Sequence, residues 1–236
     1  MTSLEHIAHH YTADQQAIET VQSVPVVLLA GISGAGKDTI KKELLATGDY
    51  HKIVTTTTRQ PRPGEKDGMH YHFVSLDKVQ EMLENHELIE ANYYSNNVYG
   101  ASVAEFQKAH DEDKIAIADI DVNGVEAFMR IAPENVHPIF LVPPSYVEWY
   151  ERWQSRYGDT YSEHLDDLAR RKATAVDELL HVEKTPYFFI VVNDELEQAV
   201  REVGEIARTG QQDDVAHRHG RGVLQALRVD MQASLR

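Results

Sequence analysis

The sequence predicts an α/β protein built on a mostly parallel sheet, and three observations carry that expectation. Compact apolar runs recur along the chain: VPVVLLA from Val24, KIAIADI from Lys114, HPIFLV from His137 and YFFIVV from Tyr187. Helical patterns separate them, and runs that are apolar throughout suit short strands covered on both faces. The first run leads directly into a glycine-rich loop and then a helical KKELLATG, a strand-loop-helix order with a known use in phosphate binding.

Taken in order, Leu4, Ile7, Tyr11, Ile18 and Val21 recur at spacings that predict an amphipathic helix in an N-terminal extension, residues 1–23. The main domain follows over 24–208, its core in 24–54, 103–150 and 176–208. Ile53 to Ser102 has a different texture, with Pro61, Pro63, Gly64 and Gly68, strand-like pieces and one helical segment, Ser75 to Glu84. It reads as an inserted subdomain, 55–102. Tyr157 to Glu163 is a polar break between two helical stretches, so Pro144 to Val182 reads as helix, mobile loop and helix, with a lid over 151–175. A polar linker, GQQDD, then leads to a helical stripe of Val223, Leu224, Leu227, Met231 and Leu235 in a tail over 209–236.

Composition narrows the function classes. The 236 residues are 42% hydrophobic, enough for an ordinary core, and a net charge of -15 opposes binding to nucleic acid or to anionic membranes. Any phosphate site must therefore be basic locally. There is no cysteine, which excludes disulfides, thiolate nucleophiles and Cys-based zinc sites. Met1 to Glu5 lacks the basic start of a leader, and the run from Val24 to Ala30 is too short to span a bilayer, so the expected location is cytoplasmic.

Gly31 to Thr39 reads GISGAGKDT. Glycines at 31, 34 and 36 let the backbone curl with its N–H groups inward, and the following helix N-terminus adds positive potential, so the loop can wrap a polyphosphate. Ser33 and Ala35 complete the cradle, and Lys37 would reach the β- and γ-phosphates. The loop thus predicts a three-layer P-loop NTPase fold that binds a nucleotide polyphosphate. The residue after the lysine is Asp38, where a P-loop ordinarily has a hydroxyl for Mg²⁺, and Thr39 supplies a hydroxyl one place later.

Thr55 to Val74 reads TTTTRQPRPGEKDGMHYHFV and closely resembles the hallmark of the guanylate kinase family, filled here by Thr57, Thr58, Arg59, Arg62, Glu65, Gly68, Tyr71 and Phe73. With later motifs the resemblance spans about Val24 to Arg208. It implies that the insert binds GMP, with Arg59, Arg62 and Tyr71 on the acceptor phosphate. Two guanidinium forks and a phenol suit a dianion independently of the resemblance. The stretch ELIEANYYSNNVYGAS resembles the second acceptor element of the family, which implies that Glu90 reads the base and that Thr55 and Tyr99 contact the acceptor. A carboxylate can accept from N1–H and the exocyclic amine of guanine together, whereas adenine offers no such donor pair. Ala101 stands where the family has Ser or Thr, which removes a hydroxyl. The KIAIADID strand resembles the D-I-D element, implying Asp119 near Mg²⁺ and Asp121 near the acceptor base. After PPS, the resemblance implies lid arginines Arg152, Arg156 and Arg171 over the phosphates, and Asn193 of VND against adenine.

The expected activity is phosphoryl transfer from MgATP to GMP, with dGMP also acceptable, by a monomer or homodimer. Two rivals stay open: a P-loop kinase with another small phosphorylated acceptor, and a guanylate-kinase-like module that binds proteins without catalysis. The thirteen histidines, including His6, His9 and His10, read as solvated side chains rather than a metal site.

Overall fold

The computed structural model describes residues 3–235. Met1 and Thr2, at the start of the segment read as leader-free and helical, and Arg236, the end of the expected tail, lie outside them. The strands are β1 Val26–Gly31, β2 Tyr50–Lys52, β3 Thr56–Thr57, β4 His72–Phe73, β5 Asn92–Tyr94, β6 Asn97–Gly100, β7 Ile115–Asp119, β8 Val136–Val142 and β9 Phe189–Val192. The helices are α1 Ser3–His10, α2 Gln15–Gln22, α3 Lys37–Ala46, α4 Leu76–Glu84, α5 Val103–Asp111, α6 Val122–Ile131, α7 Tyr146–Tyr157, α8 Leu165–Lys184, α9 Leu196–Thr209 and α10 Asp214–Ala233.

The four apolar runs of the sequence are β1, β7, β8 and β9 of a five-stranded parallel sheet in the order β2-β7-β1-β8-β9. β2 is an edge strand of three residues, paired with β7 from Tyr50↔Ile115, and its polar YHK carries no strand signal of its own. Helix boundaries follow local chemistry: Ser75, Ser145 and Asp213 cap α4, α7 and α10 by accepting backbone N–H groups. No helix among the described residues is long and apolar enough to cross a membrane.

The chain divides into two compact units. One holds the described residues up to Val27, Gly48–Ala118 and Asn123–Val136. It contains the four-stranded sheet β4-β3-β6-β5, in which β3 and β4 run parallel and the other pairs antiparallel. The N-terminal segment, expected as one helix, is two. Asp14 accepts the Ala17 N–H at 2.8 Å and restarts the helix, so α1 and α2 carry their apolar stripes to different neighbours. Leu4, Ile7 and Tyr11 pack on a cluster of Val79, Met82, Leu83, Leu88 and Val98, and the Tyr11 hydroxyl donates to the Leu88 carbonyl at 2.5 Å; α2 lies against α5.

The other unit holds Leu28–Thr47, Asp119–Val122 and the chain from His137 onward. Between α7 and α8, the segment expected as a mobile loop is a 3-10 helix, Gly158–His164. The rings of Tyr157 and His164 stack with centroids 4.0 Å apart, and Thr160 donates to the Tyr157 carbonyl, so local contacts replace the missing apolar pattern. The tail helix α10 packs on α8, β9 and α7 through Leu224, Leu227 and Met231, each at most 1% exposed.

Candidate active site

In the second unit the buried β1 ends at Gly31, and the loop turns back through Gly34 and Gly36 at positive φ before α3 begins at Lys37. At Gly36, with φ +93°, a Cβ would lie 2.2 Å from the Asn193 amide nitrogen, so only glycine fits. Ala35 is fully buried, and its carbonyl accepts from Asn193 Nδ2 at 2.8 Å. Asn193 therefore braces the phosphate loop from the end of β9, itself 6% exposed.

Lys37 donates to the carbonyls of Gly31 and Ile32 at the floor of the loop. It lines a cavity of about 250 Å³ with Gly31, Asp119, Asp121, Val122 and Glu178. Burial pulls the Lys37 ammonium below its ordinary pKa, and the carboxylates of Glu178 and Asp38 oppose that shift. Glu178 is pushed above the ordinary carboxylate range by its own burial, with Lys37 acting against the shift. Asp119 closes β7 and pairs with Lys41 of α3. Asp38, whose side chain is 96% exposed, and Thr39 lie outside the cavity lining.

Two of the three arginines expected over the phosphates gather on an indole. Trp149 and Trp153, one turn apart on α7, are both buried, and the Trp149 Nε1 donates to the Ser33 carbonyl at 2.7 Å. Arg156 and Arg171 stand over the Trp153 ring at 5.6 and 5.3 Å. Arg171 also donates to the Ser33 hydroxyl at 3.1 Å and pairs with Asp167, whose carboxyl it holds below the usual range. Arg152 donates to the Asn193 carbonyl at 2.8 Å. Arg171 thus reaches the phosphate loop itself, Arg152 the asparagine that braces it, and Arg156 the indole beside them. The sequence reading missed Trp149, Trp153 and Glu178. Its only signal for them was a tryptophan pair at i, i+4 and an acid one helical stripe from Arg171.

The acceptor candidates lie in the first unit. Thr57, fully buried on β3, accepts the Arg59 N–H at 3.2 Å and so turns the chain out of the sheet. Arg59 makes a two-pronged pair with Glu65, both N–O distances 2.9 Å, and lies over the rings of Tyr71 and Phe73 at 5.3 and 5.7 Å. The Arg59 fork, with the Arg62 N–H bonded at 2.7 Å, holds the Glu65 carboxyl down to about 2. The Tyr71 and Tyr99 rings lie 6.2 Å apart edge to face, and the Arg62 side chain is exposed. Thr55 accepts the His72 N–H through its carbonyl. Glu90 is 9% exposed, and its two oxygens accept from the Ala101 N–H at 3.1 Å and the Asn92 amide at 2.8 Å. Asp121, expected at the acceptor base, lines the Lys37 cavity in the other unit.

A family model described as guanylate kinase matches residues 22–209. The chain belongs to the guanylate kinase family. It is 38% identical over 183 residues to the guanylate kinase of Lactobacillus johnsonii, covering 77% of this chain and 86% of that one. To the guanylate kinase of Schizosaccharomyces pombe it is 36% identical over 190 residues, covering 79% and 91%. The crystal structure of guanylate kinase from Anaplasma phagocytophilum superposes with a TM-score of 0.58 at 28% identity, over 88% of this chain and 97% of that one. The family match leaves α1 and α10 outside it.

Proposed function

We propose that this chain transfers the γ-phosphoryl group of ATP to GMP, yielding ADP and GDP. The observation that carries the reading is that Glu90, a buried carboxylate with both oxygens oriented by neighbouring N–H groups, shares one small sheet unit with the Arg59, Tyr71 and Tyr99 cluster. A base reader and a phosphate cage on one element suit a nucleoside monophosphate. In this reading Glu90 accepts from guanine, Arg59, Arg62, Tyr71 and Tyr99 hold the 5′-phosphate with Thr55 beside them, and dGMP is also accepted.

The attacking group is a phosphate oxygen that is already anionic, so the chain need supply no strong base. Its work is alignment and charge compensation. Lys37 and the N–H groups of residues 31–39 bind the donor phosphates, and Arg152, Arg156 and Arg171 neutralise charge that spreads over the transferring group. Asn193 acts in this reading through the loop it braces, as well as at the adenine edge. Mg²⁺ ordinarily takes one or two carboxylates together with phosphate oxygens. Asp119, on the wall of the Lys37 cavity, fits that donor set, with Thr39 and Asp38 as the nearby alternatives on α3. When bound, the ion would offset the charge of the donor phosphates. The same reading expects a cytoplasmic monomer or homodimer, with no nucleic acid or membrane partner.

The test is ADP release from ATP with GMP, dGMP, AMP and other monophosphates, with Lys37→Met as control. GMP-dependent release lost in the variant supports the reading. Release that is equal for AMP and GMP, or silence with every acceptor, overturns it.

A further inference from the structure

We infer that Trp153 is a positioning residue for phosphoryl transfer, its ring holding Arg156 and Arg171 beside the phosphate loop. The inference rests on the reading of those two arginines as groups that neutralise charge on the transferring phosphoryl.

An arginine on a solvated helix has many rotamers, and two guanidinium groups brought to one place repel each other. Something must hold them. Arg171 has Asp167 and the Ser33 hydroxyl. Arg156 makes no ion pair among the described residues, and what meets its charge is the Trp153 ring, whose centroid lies 5.6 Å from the guanidinium carbon. Arg171 comes to the same ring from α8, at 5.3 Å. The electron-rich face of an indole attracts both cations, so one neutral group gathers two like charges.

The helix explains why Trp153 is that group. Tyr146, Trp149, Trp153 and Tyr157 follow one another at spacings of three or four residues, so they share one face of α7. The Trp149 N–H meets the Ser33 carbonyl, which turns this face to the loop. Arg156 stands three residues after Trp153, and helical side chains lean toward the N-terminus, so its stem runs back over the indole. Tyr157 stacks on the Trp153 ring at 5.3 Å with the planes 19° apart, and so fixes its tilt.

Ordinary core packing does not account for a tryptophan here. Trp153 is 1% exposed, and its Nε1 has no hydrogen-bond partner. A buried donor left unpaired costs stability that a leucine at the same place would not lose. The nitrogen edge lies against the loop, since a Cβ at Gly34 would come within 3.1 Å of it. That contact is packing, so what tryptophan adds is a ring face for cations.

Steady-state kinetics with ATP and GMP, and thermal midpoints, of the full chain, Trp153→Leu, Trp153→Phe and Arg156→Ala test this. Trp153→Leu should lower kcat about tenfold while KM for GMP moves less than about twofold, and Trp153→Phe, which keeps a ring, should recover most of the loss. When Trp153→Leu and Arg156→Ala are combined, the losses should fall short of multiplying, because Arg156 acts only where the ring puts it. A second measurement leaves the fold alone. Mono-, di- and trifluorotryptophan, incorporated at both tryptophans of the chain, withdraw charge from the ring face at nearly constant shape, and kcat should fall with each fluorine. Trp149 has no guanidinium over its ring among the described residues, so the gradient reports on Trp153.

The assignment fails if kcat in Trp153→Leu stays within about twofold of the parent, if phenylalanine loses as much as leucine, or if the fluorinated series is flat. Should the leucine variant not fold, the fluorinated series alone decides. Arg156→Ala separates the readings. When it is slow and Trp153→Leu is not, only the Trp153 role falls; when it is as fast as an active parent, the role of the arginine falls as well. A parent that releases no ADP with GMP takes the kinase reading and the Trp153 role down together.

Discussion

Asn193 donates its side-chain amide to the Ala35 carbonyl at 2.8 Å, fastening the turn after β9 to the phosphate loop. Removing the amide in Asn193→Ala leaves a buried carbonyl without that partner, at a cost of about 1–3 kcal/mol in unfolding free energy measured by denaturant, and should raise KM for ATP several-fold. The Gly36→Ala change drives a Cβ to within 2.2 Å of the same amide at a positive φ. The double variant should therefore lose less than the sum of the two single ones, and strict additivity in unfolding free energy would sink the coupling.

The acceptor cluster makes a prediction about acid. Glu65, ordinarily near 4.5, is held at about 2 by Arg59 and the Arg62 N–H. A depressed carboxylate contributes its pairing fully above its ordinary pKa and loses it as the pH falls toward the depressed one. Carbon-detected NMR titration of Glu65 should give a midpoint below about 3, and Arg59→Lys, which cannot form the fork, should return it toward the ordinary value and raise KM for GMP. A midpoint near 4.5 in the parent chain would count against the paired geometry.

Lys37 and Glu178 predict an alkaline limb. Burial lowers the Lys37 pKa while Glu178 holds it up. ATP binding that needs the ammonium should weaken as pH rises through this lowered value. In Glu178→Gln the opposing carboxylate is gone, so Lys37 gives up its proton earlier and the limb moves to lower pH. Glu178 itself sits above its ordinary pKa, so at neutral pH its charge is a cost of folding, and the glutamine variant should unfold no more readily than the parent. ATP affinity measured across pH in both proteins checks this; a limb shifted upward would contradict it.

Gly220 lies in α10 where that helix crosses β9, and a Cβ there would stand 2.4 Å from the Ile190 carbonyl oxygen. Alanine in a helix interior ordinarily gains about 1 kcal/mol over glycine. Here the obstruction is backbone and cannot rotate away, so Gly220→Ala should instead destabilise by about 1–3 kcal/mol in thermal unfolding.

Much of this was legible in the chain because the signals are local. The strands β1, β7, β8 and β9 are continuous apolar runs, and α4, α7 and α10 begin at capping side chains just ahead of helical stripes. The edge strand β2 was not legible, since YHK gains its strand form from pairing with β7. The division of residues 1–23 into two helices turned on Asp14, a cap that stripe spacing alone passes over. At the site, motif spacing singled out Arg59 and Glu90, but not that each is already engaged, by Glu65 and by Asn92. Those partnerships depend on how a turn or a strand pair closes. The indoles of Trp149 and Trp153 belong to no motif, and only the folded chain sets arginines over one of them.

α10 has a practical consequence. The family model's match ends at residue 209, yet α10 buries Leu224, Leu227 and Met231 on α8 and β9, and Arg221 ties its side chain to the Val182 and Thr185 carbonyls. Trimming the protein to the matched length would strip a greasy flank and leave carbonyls at the end of α8 without those donors. The stretch the family model matches is shorter than the stretch whose apolar faces cover one another in this chain, and a shortened version is expected to self-associate through the flank it exposes.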